Sequence, residues 1–102
     1  MTKAFLHPLA RAEFESEIDY YETERQGWGG FLRADVLMAI QHLVQFPAMG
    51  RAKRDGTRRF VTKRFHFIVS SELRGEVIIV WAVSHGARKP GYWHDRRPQS
   101  LL

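Results

Sequence analysis

The chain has 102 residues, 44% hydrophobic and 26% charged, the profile of one ordinary globular domain spanning residues 1–102. It has no cysteine, which excludes a disulfide scaffold and a thiolate zinc site; no apolar run is long enough to cross a bilayer and the N-terminus lacks a secretory core, so a cytoplasmic protein is expected. The net charge of +5 is uneven: residues 1–50 hold four Lys/Arg and seven Asp/Glu, residues 51–102 twelve and four, so the second half suits a polyanion, with nucleic acid the foremost candidate.

Lys3–His7 reads as a short first strand. A helix starts at His7-Pro8, because proline is favoured at the first helical position, where an N–H would have no partner. Ala10, Phe14, Ile18 and Tyr21 recur on one face, and the carboxylates of Glu13, Glu15, Glu17, Asp19 and Glu22 take the others. Gln26-Gly27 ends this helix. A second runs from about Gly30 to Phe46 on a stripe of Leu32, Val36, Ile40, Leu43 and Val44, and Phe46-Pro47 stops it. The short GWGG connection makes the pair an antiparallel hairpin.

Residues 47–57 (PAMGRAKRDGT) read as a loop with three cations. Three strands follow: Arg58–Thr62, Phe65–Ser71 and Val77–Ser84, with a glycine turn at Leu73–Glu76. Val77–Ser84 (VIIVWAVS) is apolar on both faces, as a strand covered on two sides would be. The expected fold is a two-layer α+β domain in the order β-α-α-β-β-β, its helical hairpin packed on an antiparallel sheet. The opposite face, or the end of the sheet, then carries the cations.

The chemistry-bearing segment is AVSHGARKPGYWHDRRP, residues 82–98. Strict alternation puts Val77, Ile79, Trp81, Val83 and His85 on one face, so His85 emerges at the strand's end. Arg88, Tyr92, Trp93 and Arg96 follow, and partner strands are expected to bring Arg58, Arg59, Lys63 and Arg64 nearby. One reading is a metal-independent ribonuclease: His85 moves a proton, Tyr92 acts as acid or stacking ring, and Arg58, Arg64 and Arg88 hold phosphate. A second is a module that binds and inhibits a nucleic-acid enzyme without chemistry of its own. A third, a plain nucleic-acid-binding domain, lacks any helix-turn-helix, zinc finger or RNA-stacking signature. No cofactor or metal is expected, since no His/Asp spacing resembles a ligand set.

The chain resembles the RelE/ParE superfamily of bacterial type II toxin–antitoxin toxins, also called plasmid stabilisation proteins. HPLARAEFESEIDYYE, GWGGFLRADVLMAIQHLVQFP and RRFVTKRFHFIVSSELRGEVIIVWAVSHGARKPGYWHDR carry the resemblance, in order, over nearly the whole chain. His85 and Arg88 match an H-x-x-R element, followed by P-x-Y-W. The resemblance implies a growth-inhibiting toxin neutralised by a cognate antitoxin in a hetero-oligomer. It implies two candidate targets: DNA gyrase, as in ParE-like members, or mRNA on the ribosome, cut as in RelE-like members. Carried over by position, the site residues are Arg58, Arg59, Arg64, His85, Arg88, Tyr92 and Trp93. The family's R-F-P-Y is Arg64-Phe65-His66-Phe67 here, losing a proline and a phenol; His66, unlike proline, has an N–H to give to a more regular second strand. The basic half also lacks a well-placed acid, because Glu72 and Glu76 flank a turn.

Overall fold

A computed structural model of the chain describes residues 2–86 and 88–98. Strand β1 (Lys3–Leu6) is followed by α1 (Pro8–Glu24) and α2 (Trp28–Gln45), then β2 (Arg51–Ala52), β3 (Arg58–Val61), β4 (Ile68–Arg74) and β5 (Val77–Ser84), and a 3₁₀ turn at His94–Arg96. The strands form one sheet in the order β1-β5-β4-β3-β2. Strands β2 to β5 are antiparallel neighbours, as the short turns require, whereas β1 joins β5 in parallel, so the sheet is mixed. The two-residue β2, within the expected loop, extends the other edge against β3.

The helices begin and end where local chemistry dictates. His7 caps α1, its Nδ1 accepting from the Leu9 amide at 3.1 Å. Glu22 reaches from the end of α1 to the start of α2, where its carboxylate accepts from the amides of Gly27 and Gly29. The hairpin closes tightly there: a Cβ at Gly29 would sit 2.7 Å from the Ile18 carbonyl oxygen, so only glycine fits. Phe14 and Ile18 of α1 pack with Leu32, Val36, Ile40 and Leu43 of α2 onto Phe67, Val69, Ile78, Val80 and Val83 of the sheet.

The β3–β4 connection departs from the sequence reading. The expected strand at Phe65 starts instead at Ile68. Asp35 of α2 accepts from the amides of Arg64 and Phe65, and Thr62 accepts from Phe67 through its hydroxyl while donating its own amide to the Phe67 carbonyl. These bonds consume backbone groups that a ladder would need. His66 lies in the loop at φ 57, the left-handed region, so its N–H does not extend the second strand. Proline, fixed near φ −65°, cannot adopt this conformation.

A second departure decides where the site lies. Ser70 pairs with Ala82 but Ser71 pairs with Val80, leaving Trp81 as an extra residue in β5. Such a bulge shifts the side-chain phase by one. Ile78 and Val80 face the helices, Trp81 and Ala82 both belong to the opposite cluster, and Val83 returns to the helix side. The expected common face of Val77, Ile79, Trp81, Val83 and His85 is therefore broken at Trp81. His85 follows Val83 onto the helix side, where its ring stands edge-on to Phe67 at 5.7 Å.

Candidate functional site: a basic groove on the open sheet face

Opposite the helices, Trp81, Ala82 and Trp93 form a small second core, flanked by Ile79 and Tyr92. The segment after β5 crosses this face because its side chains are tied to three distant elements. Arg96 forms a two-pronged ion pair with Glu13 of α1, its Nη1 lying 2.9 Å from Oε1, and also donates to the carbonyl of the bulged Trp81 at 2.9 Å. Arg97 donates to Glu72 of β4 and to the Asp55 carbonyl oxygen. His94 meets the Asp55 carboxylate at 3.0 Å. Glu72 also accepts from the Trp81 indole and from Arg74. At Gly91, with φ 75, a Cβ would lie 2.6 Å from the His94 ring, so this turn requires glycine.

Burial by itself would raise the Asp55 carboxyl. Hydrogen bonds from the Thr57 hydroxyl and amide and from His94, with the Arg97 charge, instead hold it at about 2. Glu72 is likewise held below its ordinary value: burial opposes ionisation, and bonds from Arg74, Arg97 and Trp81 outweigh it. Both folded pKa values lie below the unfolded ones, so the stability these groups contribute is complete above the ordinary carboxylate range and is lost as pH falls through the folded values. The difference in urea midpoint between the wild type and Asp55→Asn should therefore be constant from about pH 7 to 5, shrink below about pH 4 and fall to a small fraction of its neutral value near pH 2. A difference undiminished at pH 2 would contradict this assignment.

The crossing segment and the strands beneath it enclose a narrow hollow of about 50 Å³, bordered by Lys53, Arg59, Arg88 and Lys89, with Ser70 and Ser84 below and Tyr92 and Trp93 as a wall. Arg59 and Arg88 thus meet as the sequence reading expected. Tyr92 and Trp93 adjoin them, but in a supporting position. Trp93 is buried. The Tyr92 ring lies beneath the Arg88 guanidinium at 3.9 Å, with the Arg96 guanidinium at 5.2 Å from its centroid. The Tyr92 hydroxyl is buried without a well-formed hydrogen bond among the described residues; burial, then the Glu13 carboxylate, raises its pKa. A phenol so placed stays protonated at neutral pH and is no base.

The remaining candidates lie elsewhere. Arg58 borders the hollow, but its guanidinium donates to the carbonyls of Ala48 and Gly50, fixing the loop after α2. Arg64 stacks over Phe31 of α2 at 4.4 Å, and Lys63 borders a hollow with Met38 and His42, both on the helix side. His85 lines an open depression with Ser16, Glu17, Tyr20 and Tyr21. The sheet stands between it and Arg59, so His85, Arg58, Arg64 and Arg88 do not converge. Glu72 and Glu76 lie away from His85, as expected from their turn. Sequence reasoning missed Lys53 and Lys89 as members of the groove; the cation-rich run at residues 51–54 was the available signal.

Among the described residues no helix is long and apolar enough to cross a membrane. No curated protein matches the chain. Among solved structures, a chain described as the chromosomal ParDE TA system from P. aeruginosa is similar, with a TM-score of 0.71 and 18% identity over 83% of this chain and 95% of that one, a likeness of fold. The family model for the ParE toxin of the type II toxin–antitoxin system, parDE, matches residues 4–90. With the helical hairpin, all of the sheet but Lys3, and the H-x-x-R element at His85–Arg88 inside that match, the chain belongs to the ParE toxin family of type II toxin–antitoxin systems, whose toxins have an antitoxin partner.

Proposed function

We propose that this toxin inhibits DNA gyrase by binding, in the ParE-like manner, and does not cut mRNA. The observation that carries the reading is that the His85 ring lies on the helix side, in a depression apart from the groove that Arg59 and Arg88 line. Cleavage by the neighbouring 2′-OH needs a proton acceptor within hydrogen-bond reach of the reacting phosphate, with cations on the same phosphate. The groove supplies cations and hydroxyls, and among the described residues its lining contains no His, Asp or Glu. Its tyrosine is held protonated. Binding requires only the cations and their rigid support, which the groove has.

Two variants separate the readings. His85→Ala should leave growth inhibition within about threefold of wild type, while Arg59→Gln/Arg88→Gln should weaken it by one to two orders of magnitude, as loss of two contacts at about 0.5–1.5 kcal/mol each implies. Expressing cells should accumulate DNA breaks, their mRNA should stay intact, and purified toxin should block supercoiling by gyrase. Site-specific mRNA cleavage that disappears with His85→Ala would overturn the proposal in favour of a ribosome-dependent nuclease.

A further inference from the structure

We infer that the groove is part of a longer cationic track that binds the phosphate backbone of DNA without reading its sequence, so that the toxin engages DNA as well as protein at its target. This rests on reading the groove as the toxin's working face. Apart from Lys63 on the helix side, the cations of the basic half divide into those held by the chain's own groups away from a ligand and those that line two adjoining hollows, Arg88 among the latter although it rests on the Tyr92 ring. Arg58, Arg64, Arg74, Arg96 and Arg97 are engaged with carbonyls, rings or carboxylates of the chain itself. Arg51, Lys53, Arg54, Arg59, Arg88 and Lys89 form no ion pair among the described residues.

These six are contiguous. Lys53 borders both the groove and an adjoining open hollow of about 420 Å³ that Arg51 and Arg54 also line. The carboxylate bordering that second hollow, Asp55, is already committed to Thr57, His94 and Arg97. Two adjoining hollows with cations along both fit an extended polyanion better than a single oxyanion. Guanidinium forks and seryl hydroxyls match phosphate oxygens, and the Tyr92 ring holds Arg88 in position for them. Tyr92 lies under Arg88 and Trp93 is buried, so neither offers a free face for base stacking. The track therefore supplies phosphate contacts, which position a duplex but carry no sequence information.

The probe is a fluorescein-labelled duplex of about 24 base pairs, titrated with the full chain by anisotropy in KCl from about 50 to 200 mM. About four neutralised phosphates imply a slope of roughly −4 in log affinity against log salt, a loss of about 100-fold or more over that range. Duplexes of unrelated sequence should differ by less than about threefold. Arg59→Gln/Arg88→Gln should reduce the slope by about 2, and Arg33→Gln, on the exposed face of α2, should leave it unchanged. Absence of duplex binding at about 50 mM salt, or an unchanged slope in the double variant, overturns the inference. The same preparations are assayed on gyrase. Gyrase inhibition without DNA binding sinks this inference and leaves the proposed function standing. DNA binding through the track with gyrase unaffected supports the inference and sinks the gyrase reading.

Discussion

Arg96→Ala should destabilise the protein by about 3 kcal/mol, the cost typical of removing one partner from a largely buried ion pair. In a domain of this size that lowers the melting temperature by roughly 12–20 °C. The side chains of Arg96 and Glu13 are only 11% and 18% exposed, so solvent cannot replace the lost partner. Their hydrogen bond raises the Arg96 pKa, keeping the guanidinium charged at every accessible pH. Truncation leaves the Glu13 carboxylate without its partner, the carbonyl of the bulged Trp81 without its donor, and one face of Tyr92 uncovered. Arg96→Lys keeps the charge but loses the fork, and should recover less than half of the difference. Thermal unfolding by circular dichroism reads the effect, and a double-mutant cycle with Glu13→Ala should give a coupling of at least about 1 kcal/mol. A melting temperature within about 3 °C of wild type would show that the pair does not anchor the crossing segment.

Trp81→Ala should cost about 3–5 kcal/mol, the range for deleting a large buried aromatic side chain. The indole is 3% exposed and is the centre of the outer core, with Trp93 and Ala82. It also holds Glu72 through its N–H at 3.0 Å and carries the Arg74 guanidinium over its ring. Because the loss falls on the face that bears the crossing segment, Trp93 should become accessible to acrylamide quenching before the helical signal at 222 nm is lost. Trp81→Phe, which keeps most of the apolar volume but lacks the N–H, should cost only about 1–2 kcal/mol. If Trp81→Ala unfolds in a single step with no earlier exposure of Trp93, the outer core is not a separable unit.

Both variants act on a layer that the sequence disclosed only in part. Apolar spacing at 3–4 residues placed the two helices, and their stripes are the buried faces of α1 and α2. VIIVWAVS announced a strand covered on both sides, and both covers exist. Its register was not legible. A bulge changes the phase by one residue through a mismatch with β4, and nothing in the local alternation of β5 marks it. That one residue moves His85 to the helix side and so separates it from Arg59 and Arg88. The loop at Thr62–Phe67 was hidden for a related reason, since Asp35 lies 29 and 30 residues from the amides it holds.

The sequence by itself determined the element order apart from the two-residue β2, the apolar faces of the helices, the basic character of the second half and the family resemblance. These depend on properties of neighbouring residues: periodicity, turn chemistry and charge. Only the tertiary structure decided which cations are free to meet a ligand. Arg96 finds Glu13 across 83 residues and Arg97 finds Glu72 across 25, so two guanidiniums of the cation-rich tail are consumed in holding the fold. Lys53 and Lys89, far apart in the chain, come to border one groove. Whether a charge is spent internally or offered to a partner depends on pairings between distant segments, and those exist only once the chain has closed on itself.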